Sequence, residues 1–165
     1  NRVIVEKDIV LDEEINELWR NTKPKRGFCL IRDAVYWRHR YDQNPIAKYS
    51  YFRVTVNNHL IGFIVARLHK GLEGKVIFSL VEWMFSRKIN LGYVILQIMS
   101  LTINDGVEVF NVWVKQGGKE ERSLKKYMFF SRSSLPIIFA DTELCESVKS
   151  NAEYFDFYMG SSDAI

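Results

Sequence analysis

The stretch from Lys75 to Thr102 reads KVIFSLVEWMF SRKIN LGYVILQIMSLT, and it decides the fold class of this chain. Lys75 to Phe85 is rich in β-branched and aromatic residues, which predicts a strand. The apolar positions that follow have helical spacing: Leu91, Val94, Ile95, Ile98, Met99 and Thr102. Asn90 is placed to cap this helix, and Asp105-Gly106 to end it. We therefore predict a strand that passes through a short turn into a long helix.

Two further strands are predicted before this stretch. Tyr49 to Val56 and Leu60 to Leu68 have strand composition and flank Asn57-Asn58, a pair typical of a tight hairpin turn. Gly71 and Gly74 bracket the next turn, which leads into Lys75 to Phe85. Because all three strands follow one another through turns, we expect an antiparallel meander at the centre of the sheet.

The N-terminal part is predicted to contain one strand and two helices. Arg2 to Val5 is a short strand, and Asp12 can cap a helix with one apolar face: Ile15, Leu18 and Trp19. Asp33 precedes a second helix, Ala34 to Tyr41. Asn44-Pro45 closes that helix, because the residue before proline disfavours helical geometry.

The C-terminal part begins with an apolar strand, Val107 to Val114, which we expect to be buried on both faces. The preceding helix would act as a crossover, so that this strand runs parallel to Lys75 to Phe85. A helix over Glu120 to Phe130 and strands over Pro136 to Ala140 and Tyr154 to Met159 follow. The predicted fold class is α/β (α+β), a mixed, mostly antiparallel central sheet flanked by helices, in the order β-α-α-β-β-β-α-β-α-β-β.

The composition is that of one domain spanning residues 1–165. Hydrophobic residues make up 47% and charged residues 26% of the 165 residues, and the net charge is +3, which argues against a disordered, collagen-like or coiled-coil chain. Apolar runs such as Leu60 to Ala66 are far shorter than the ~20 residues of a membrane helix, so we expect no membrane partner. The basic residues form no stripe, which argues against nucleic acid as a partner.

The cysteines and histidines indicate neither a disulfide scaffold nor a metal centre. Cys29 and Cys145 are too few and too far apart for either, which favours free thiols in a reducing compartment, and we expect the cytoplasm. The three histidines are dispersed along the chain, so no metal site is expected.

The turn between the long strand and the long helix reads Arg87-Lys88-Ile89-Asn90-Leu91-Gly92. A helix N-terminus presents unpaired backbone N–H groups and a partial positive charge, and Arg87 and Lys88 add to that charge. A pyrophosphate would fit such a turn. The alternative interpretation is an ordinary strand-to-helix turn with solvated basic residues.

The element order, together with Arg87-x-x-Asn90-x-Gly92, resembles the GNAT acyltransferase superfamily. The signature of that superfamily is Gln or Arg, two residues, Gly, one residue, then Gly or Ala, so Asn90 stands where the family has Gly. Arg32 to Tyr41 with Asn44-Pro45 is similar to a pattern of bacterial two-module GNAT proteins, and Gly160-Ser161-Ser162-Asp163 resembles their ending. The resemblance implies an excised C-terminal module, whose full-length chain holds a second GNAT module.

What the resemblance implies is acyl transfer from acetyl-CoA or another acyl-CoA to an amine of a small molecule, a sugar or a peptide, without a metal. The acyl-CoA would lie in a cleft between the fourth and fifth strands. The fourth strand would pair with the pantetheine, and the amides of the turn would bind the pyrophosphate. The implied cofactor-binding residues are Trp83, Met84, Phe85, Arg87, Lys88, Ile89, Asn90, Leu91 and Gly92.

Glu82 and Tyr127 are the candidate catalytic residues. Glu82 lies in an apolar strand, where burial would raise its pKa toward that of a useful base; strand alternation that turns it to solvent is the open alternative. The family often carries an acid Tyr several residues before a Gly-Phe pair, but here the register places Leu124 ahead of Met128-Phe129. Tyr127 is a substitute candidate on the same predicted helix. These departures leave a second hypothesis open, a catalytically silent GNAT-like module with a scaffolding or dimerising role.

Overall fold

The computed structural model describes residues 2–7, 11–24, 29–71 and 73–131. The predicted strands Pro136 to Ala140 and Tyr154 to Met159 lie outside these residues, as does the ending Gly160 to Asp163. The described elements are β1 (Val3–Lys7), α1 (Glu13–Thr22), α2 (Ala34–Trp37), a π-helical turn (Arg38–Asp42), β2 (Ser50–Val56), β3 (His59–Lys70), β4 (Val76–Phe85), α3 (Leu91–Leu101), a 3₁₀ turn (Ile103–Asp105), β5 (Val109–Val112) and α4 (Lys119–Lys125). Their order agrees with the predicted one as far as they extend.

The described sheet has five strands in the order β1-β2-β3-β4-β5. The first three pairings are antiparallel, whereas β5 pairs parallel to β4 through the crossover helix α3. The β2–β3 hairpin turns at Asn57 and Asn58, whose φ angles of 51° and 60° are those of a type I′ turn. The mixed, mostly antiparallel sheet is thus confirmed.

Both predicted helix caps, Asp12 and Asn90, are present, and Asp33 caps the second helix as well. Oδ1 of Asp12, Asp33 and Asn90 accepts a hydrogen bond from the backbone N–H of Glu14, Tyr36 and Tyr93, at 3.1, 2.9 and 3.2 Å respectively. The long helix ends differently from the prediction. It stops at Leu101 and continues as the 3₁₀ turn, after which Gly106 takes a left-handed φ of 68°.

Two hydrophobic clusters use the two faces of the sheet. One contains residues of α3 and the strands, among them Phe52, Phe78, Trp83, Ile95 and Ile98. The other contains residues of α1, α2 and the strands, among them Ile15, Leu18, Trp37, Phe63 and Met84. The apolar face of each helix therefore covers one side of the sheet, as expected for a layered domain.

Two predictions for the C-terminal part were wrong in extent. The fifth strand is short and is not buried on both faces, since Asn111 is exposed and its neighbours are half-buried. It is the edge strand of the described sheet, so it has a paired strand on one side only. The predicted helix over Glu120 to Phe130 ends at Lys125, and Met128 adopts a left-handed φ of 64°.

The pairing of β4 with β5 ends about halfway along β4, because β5 itself ends there. β5 pairs only with Ile77 to Leu80, whereas β4 continues to Phe85 with no further strand on that side within the described residues. The opening lies at the carboxyl ends of both strands. It adjoins the turn that leads from β4 into α3.

Candidate functional site

The turn after β4 is anchored to the sheet and ends in a capped helix. The backbone N–H of Ser86 donates to the carbonyl of Ile61 at 2.9 Å, which holds the start of the turn. At the other end, Gly92 N–H donates to Ser123 Oγ at 3.3 Å, and Tyr93 N–H donates to the capping Asn90. Two amides at the N-terminus of α3, where an anion would bind, thus already have side-chain partners.

Asn90, Ser123 and Tyr127 form a network over this turn. Ser123 Oγ donates to Asn90 Oδ1 at 2.8 Å, and Asn90 Nδ2 donates to the Tyr127 hydroxyl at 3.0 Å. The Tyr127 ring lies on the Cα of Gly92. The structure therefore brings Tyr127 to the predicted pyrophosphate turn, where it contacts two of the predicted cofactor-binding residues.

A basic cleft of about 490 Å³ lies between this turn and α4. Its lining residues are Lys88, Ile89, Asn90, Lys119, Arg122, Ser123 and Lys126. Arg87 is exposed but is not among them. The contribution of α4 was not predicted from the sequence, although the positions 119, 122, 123 and 126 share one helical face. Four cations therefore surround a space large enough for phosphate groups.

The other predicted cofactor-binding residues do not present side chains to this cleft. Trp83 and Met84 are buried in the clusters on opposite sheet faces, and Leu91 is buried beneath the start of α3. Phe85 is half-buried and its ring covers Gly62. Beyond Leu80, β4 is no longer paired with β5, and its edge there faces the opening.

A β-bulge determines the direction of Glu82. Val65 pairs with Glu82, and the next residue of β3, Ala66, pairs with Leu80, so Val81 is the extra residue. Leu80 and Trp83 belong to the cluster on the α3 side, whereas Val81 belongs to the cluster on the α1 and α2 side. Glu82 contacts residues of that second side, so the bulge directs two successive side chains to one face.

The Glu82 carboxylate is completely buried, with 0% of the residue exposed. Arg32 Nε lies 2.7 Å from Oε1, and the hydroxyls of Tyr36 and Tyr41 donate to Oε2 at 3.0 and 2.5 Å. Burial raises the pKa of Glu82, while Arg32 and the two phenols act in the opposite direction. The alternative that Glu82 faces solvent is wrong; its role as a base stays a prediction.

A second cleft, of about 770 Å³, lies on the α2 side of β4. Its lining includes Tyr36, Tyr41 and Tyr49, with the bulge residue Val81 and the charged residues Asp33 and Arg40. None of these residues was predicted from the sequence to belong to a site. The spacing of Tyr36 and Tyr41 around one helical turn was visible, but their common partner Glu82 was not.

Metal and membrane features are absent from the residues that the structure describes. Across residues 2–7, 11–24, 29–71 and 73–131, no three or more His, Cys, Asp or Glu side chains group in a way that could hold a metal ion. No helix within those ranges has the length and apolar character needed to cross a bilayer.

Comparison with solved structures identifies the fold. The chain is similar to the ribosomal-protein-alanine N-acetyltransferase from Brucella melitensis, with 16% identity and a TM-score of 0.61. The similarity covers 86% of this chain and 100% of that protein. A GNAT family acetyltransferase from Staphylococcus aureus covers 83% of this chain and 98% of its own, with 12% identity and a TM-score of 0.57. A third similar structure is an aminoglycoside acetyltransferase from an uncultured soil metagenomic sample, solved in complex with sisomicin. The similarity covers 85% of this chain and 95% of that protein, with 11% identity and a TM-score of 0.56.

The fold is therefore that of the GNAT acetyltransferases, as the element order and the turn motif indicated. No protein-family model matches the sequence, and no curated protein matches it. At this level of identity the similarity concerns the fold alone, because one fold hosts many different functions.

Proposed function

We propose that this chain is an acyl-CoA-dependent N-acyltransferase, with acetyl-CoA as donor and an amine of a small molecule, sugar or peptide as acceptor. The observation that carries the proposal is the opening between β4 and β5, which lies beside the N-terminus of α3. The GNAT fold supports it, as do the two clefts, one beside the turn after β4 and one on the α2 side of β4. The chain is further proposed to be one GNAT-like domain, residues 1–165, working in the cytoplasm beside a second module of the same protein.

The donor is proposed to bind on the basic side. Lys88, Lys119, Arg122 and Lys126 would neutralise its phosphates, since cations around a helix N-terminus favour anions. The part of β4 beyond Leu80, alongside which no β5 residue is paired, would hydrogen-bond the amides of the pantetheine through its backbone. Such binding would direct the thioester along β4, toward the second cleft.

The acceptor is proposed to bind in the second cleft. There the amine nitrogen would attack the thioester carbonyl, the carbon–sulfur bond would break, and CoA would leave as the thiolate. Glu82 is the proposed final acceptor of the amine proton. The candidate acid Tyr127 hydrogen-bonds with Asn90 at the turn proposed for the pyrophosphate, away from the thioester, so water is the proposed source of the proton for the thiolate.

Calorimetric titration with acetyl-CoA tests the donor site. We expect Lys88→Glu and Arg122→Glu each to weaken binding about tenfold, which corresponds to ~1.4 kcal/mol. Lys75→Glu is the matched control, because Lys75 lies at the opposite end of β4 and pairs with Glu73 at 2.7 Å. Arg87→Glu tests the sequence prediction for the neighbouring cation. Equal affinity in all four variants would refute the site.

A specific observation favours the second candidate, a catalytically silent module that scaffolds or dimerises. Ser123 and Asn90 already satisfy the amides of Gly92 and Tyr93, which a pyrophosphate would otherwise use. A thermal shift separates the two functions, because a ligand at a hundred times its dissociation constant stabilises a protein by about 2.7 kcal/mol. An unchanged melting temperature at millimolar acetyl-CoA would favour the silent module.

A further inference from the structure

The environment of Glu82 prevents direct contact with an acceptor. No part of the residue is exposed, and its two carboxylate oxygens face Arg32, Tyr36 and Tyr41. An amine bound in the second cleft would thus meet another group before it met this carboxylate. Any proton that reaches Glu82 from the cleft has to pass through one of its partners.

Tyr36 and Tyr41 differ in their access to the cleft. Both line it, and both donate to the same oxygen of Glu82. Tyr41 is buried, with 2% of the residue exposed, and its hydrogen bond to Glu82 is buried as well. Tyr36 is half-buried, and its hydrogen bond to Glu82 is only partly buried. Tyr36 is therefore the partner that a bound acceptor can approach.

We propose that the hydroxyl of Tyr36 relays the proton of the acceptor amine to Glu82, an inference that rests on the proposed acyltransferase function. As the N–H bond of the attacking amine breaks, its proton forms a new bond to the Tyr36 oxygen. The original Tyr36 proton moves at the same time to Glu82 Oε2. Tyr36 ends unchanged, the amine has lost one proton, and Glu82 has gained it.

The surroundings suit a relay that never ionises the phenol. Burial raises the pKa of both tyrosines, and the negative charge of Glu82 raises it further, so both hydroxyls stay protonated donors. The described charged and titratable groups that act on Glu82 are Arg32, Tyr36, Arg40 and Tyr41. Val65 of β3 is the residue paired with Glu82, and Ile15 and Leu18 of α1 belong to the apolar cluster on the same face of the sheet.

Tyr36→Phe and Tyr41→Phe form a matched pair of variants. Each removes one hydrogen bond from Glu82, which destabilises the carboxylate and moves the acidic limb of the pH–rate profile upward in both. Only Tyr36→Phe should also lower the plateau of kcat, by about 10²-fold. The probes are acetyl-CoA and saturating methylamine, an amine small enough for a cleft of about 770 Å³.

Three outcomes would overturn the relay. The first is an equal kcat plateau in the two variants, which would give Tyr36 a structural role only. The second is a linear dependence of the wild-type rate on the deuterium fraction of the solvent. The relay transfers two protons in the same step, which requires a curved dependence. The third is absence of methylamine acetylation by a wild-type protein that binds acetyl-CoA in calorimetry. Absence of acetyl-CoA binding itself would instead refute the proposed function.

Discussion

The ring of Tyr127 lies on the Cα of Gly92, so closely that a methyl group at residue 92 would overlap it. This contact joins the end of α4 to the first turn of α3. It also brings the Tyr127 hydroxyl to Asn90, the cap of the same helix. The glycine of the turn motif is thus required here by an aromatic side chain of the chain itself, and not only by an approaching phosphate.

We expect Gly92→Ala to destabilise the protein by about 1 to 2 kcal/mol. Overpacking destabilises a protein by about 1 to 3 kcal/mol, and the higher helix propensity of alanine offsets about 0.5 to 1 kcal/mol of this. In a Tyr127→Ala background the overlap is gone, so the same substitution should become neutral or stabilising. Urea unfolding of the four proteins of this cycle measures the effect. An effect of the same sign and size in both backgrounds would contradict the contact.

Met128→Gly should stabilise the protein. Met128 has a left-handed φ of 64°, which costs a residue with a side chain about 1 to 2 kcal/mol, and 78% of the residue is exposed. Glycine also gives the unfolded chain more conformational freedom, which offsets part of this stabilisation. The expected net stabilisation is about 0.5 to 1 kcal/mol. Thermal unfolding should show a rise in melting temperature of roughly 1 to 4 °C. Phe130→Gly, at an exposed position without a positive φ, is the control that should show none.

Ser123→Ala and Asn90→Gly should each tighten acetyl-CoA binding about fivefold. Each frees one backbone amide of the first turn of α3, and one net hydrogen bond is worth about 1 kcal/mol. The loss of the Asn90 cap costs only a few tenths of a kcal/mol with glycine. Ser100→Ala is the calorimetric control, because that hydroxyl bonds to Leu96 within its own helix. If affinity stays constant in both variants, the silent module is the better account.

The pH dependence of stability tests the environment of Glu82. Burial raises its pKa in the folded protein, so the stability that this group contributes is present below the unfolded pKa and is lost as the pH rises through the folded pKa. The difference in unfolding free energy between wild type and Glu82→Gln should thus favour wild type more at pH 4 than at pH 8. Because both proteins contain the same other titrating groups, the contributions of those groups cancel in this difference. The opposite trend would mean that Arg32 and the two phenols lower the pKa of Glu82 by more than burial raises it.

Local chemistry made much of the fold predictable. Asp12, Asp33 and Asn90 cap helices because a short polar side chain reaches the first free amides of its own helix. Asn57 and Asn58 form the hairpin because they tolerate positive φ. The extent of β5 and α4 was not predictable in this way, because apolar composition reports that a segment is partly buried but not where its partners end.

The sequence by itself determined the order of the elements and the location of the turn between β4 and α3, since these depend on residues close together in the chain. Only the tertiary structure decided what surrounds the two candidate catalytic residues. Glu82 faces α2 because β4 has one extra residue, Val81, relative to β3, and a bulge reverses strand alternation. Tyr127 contacts Gly92 because α4 packs against α3. Both relationships join segments far apart in sequence, whose register and packing no local pattern encodes.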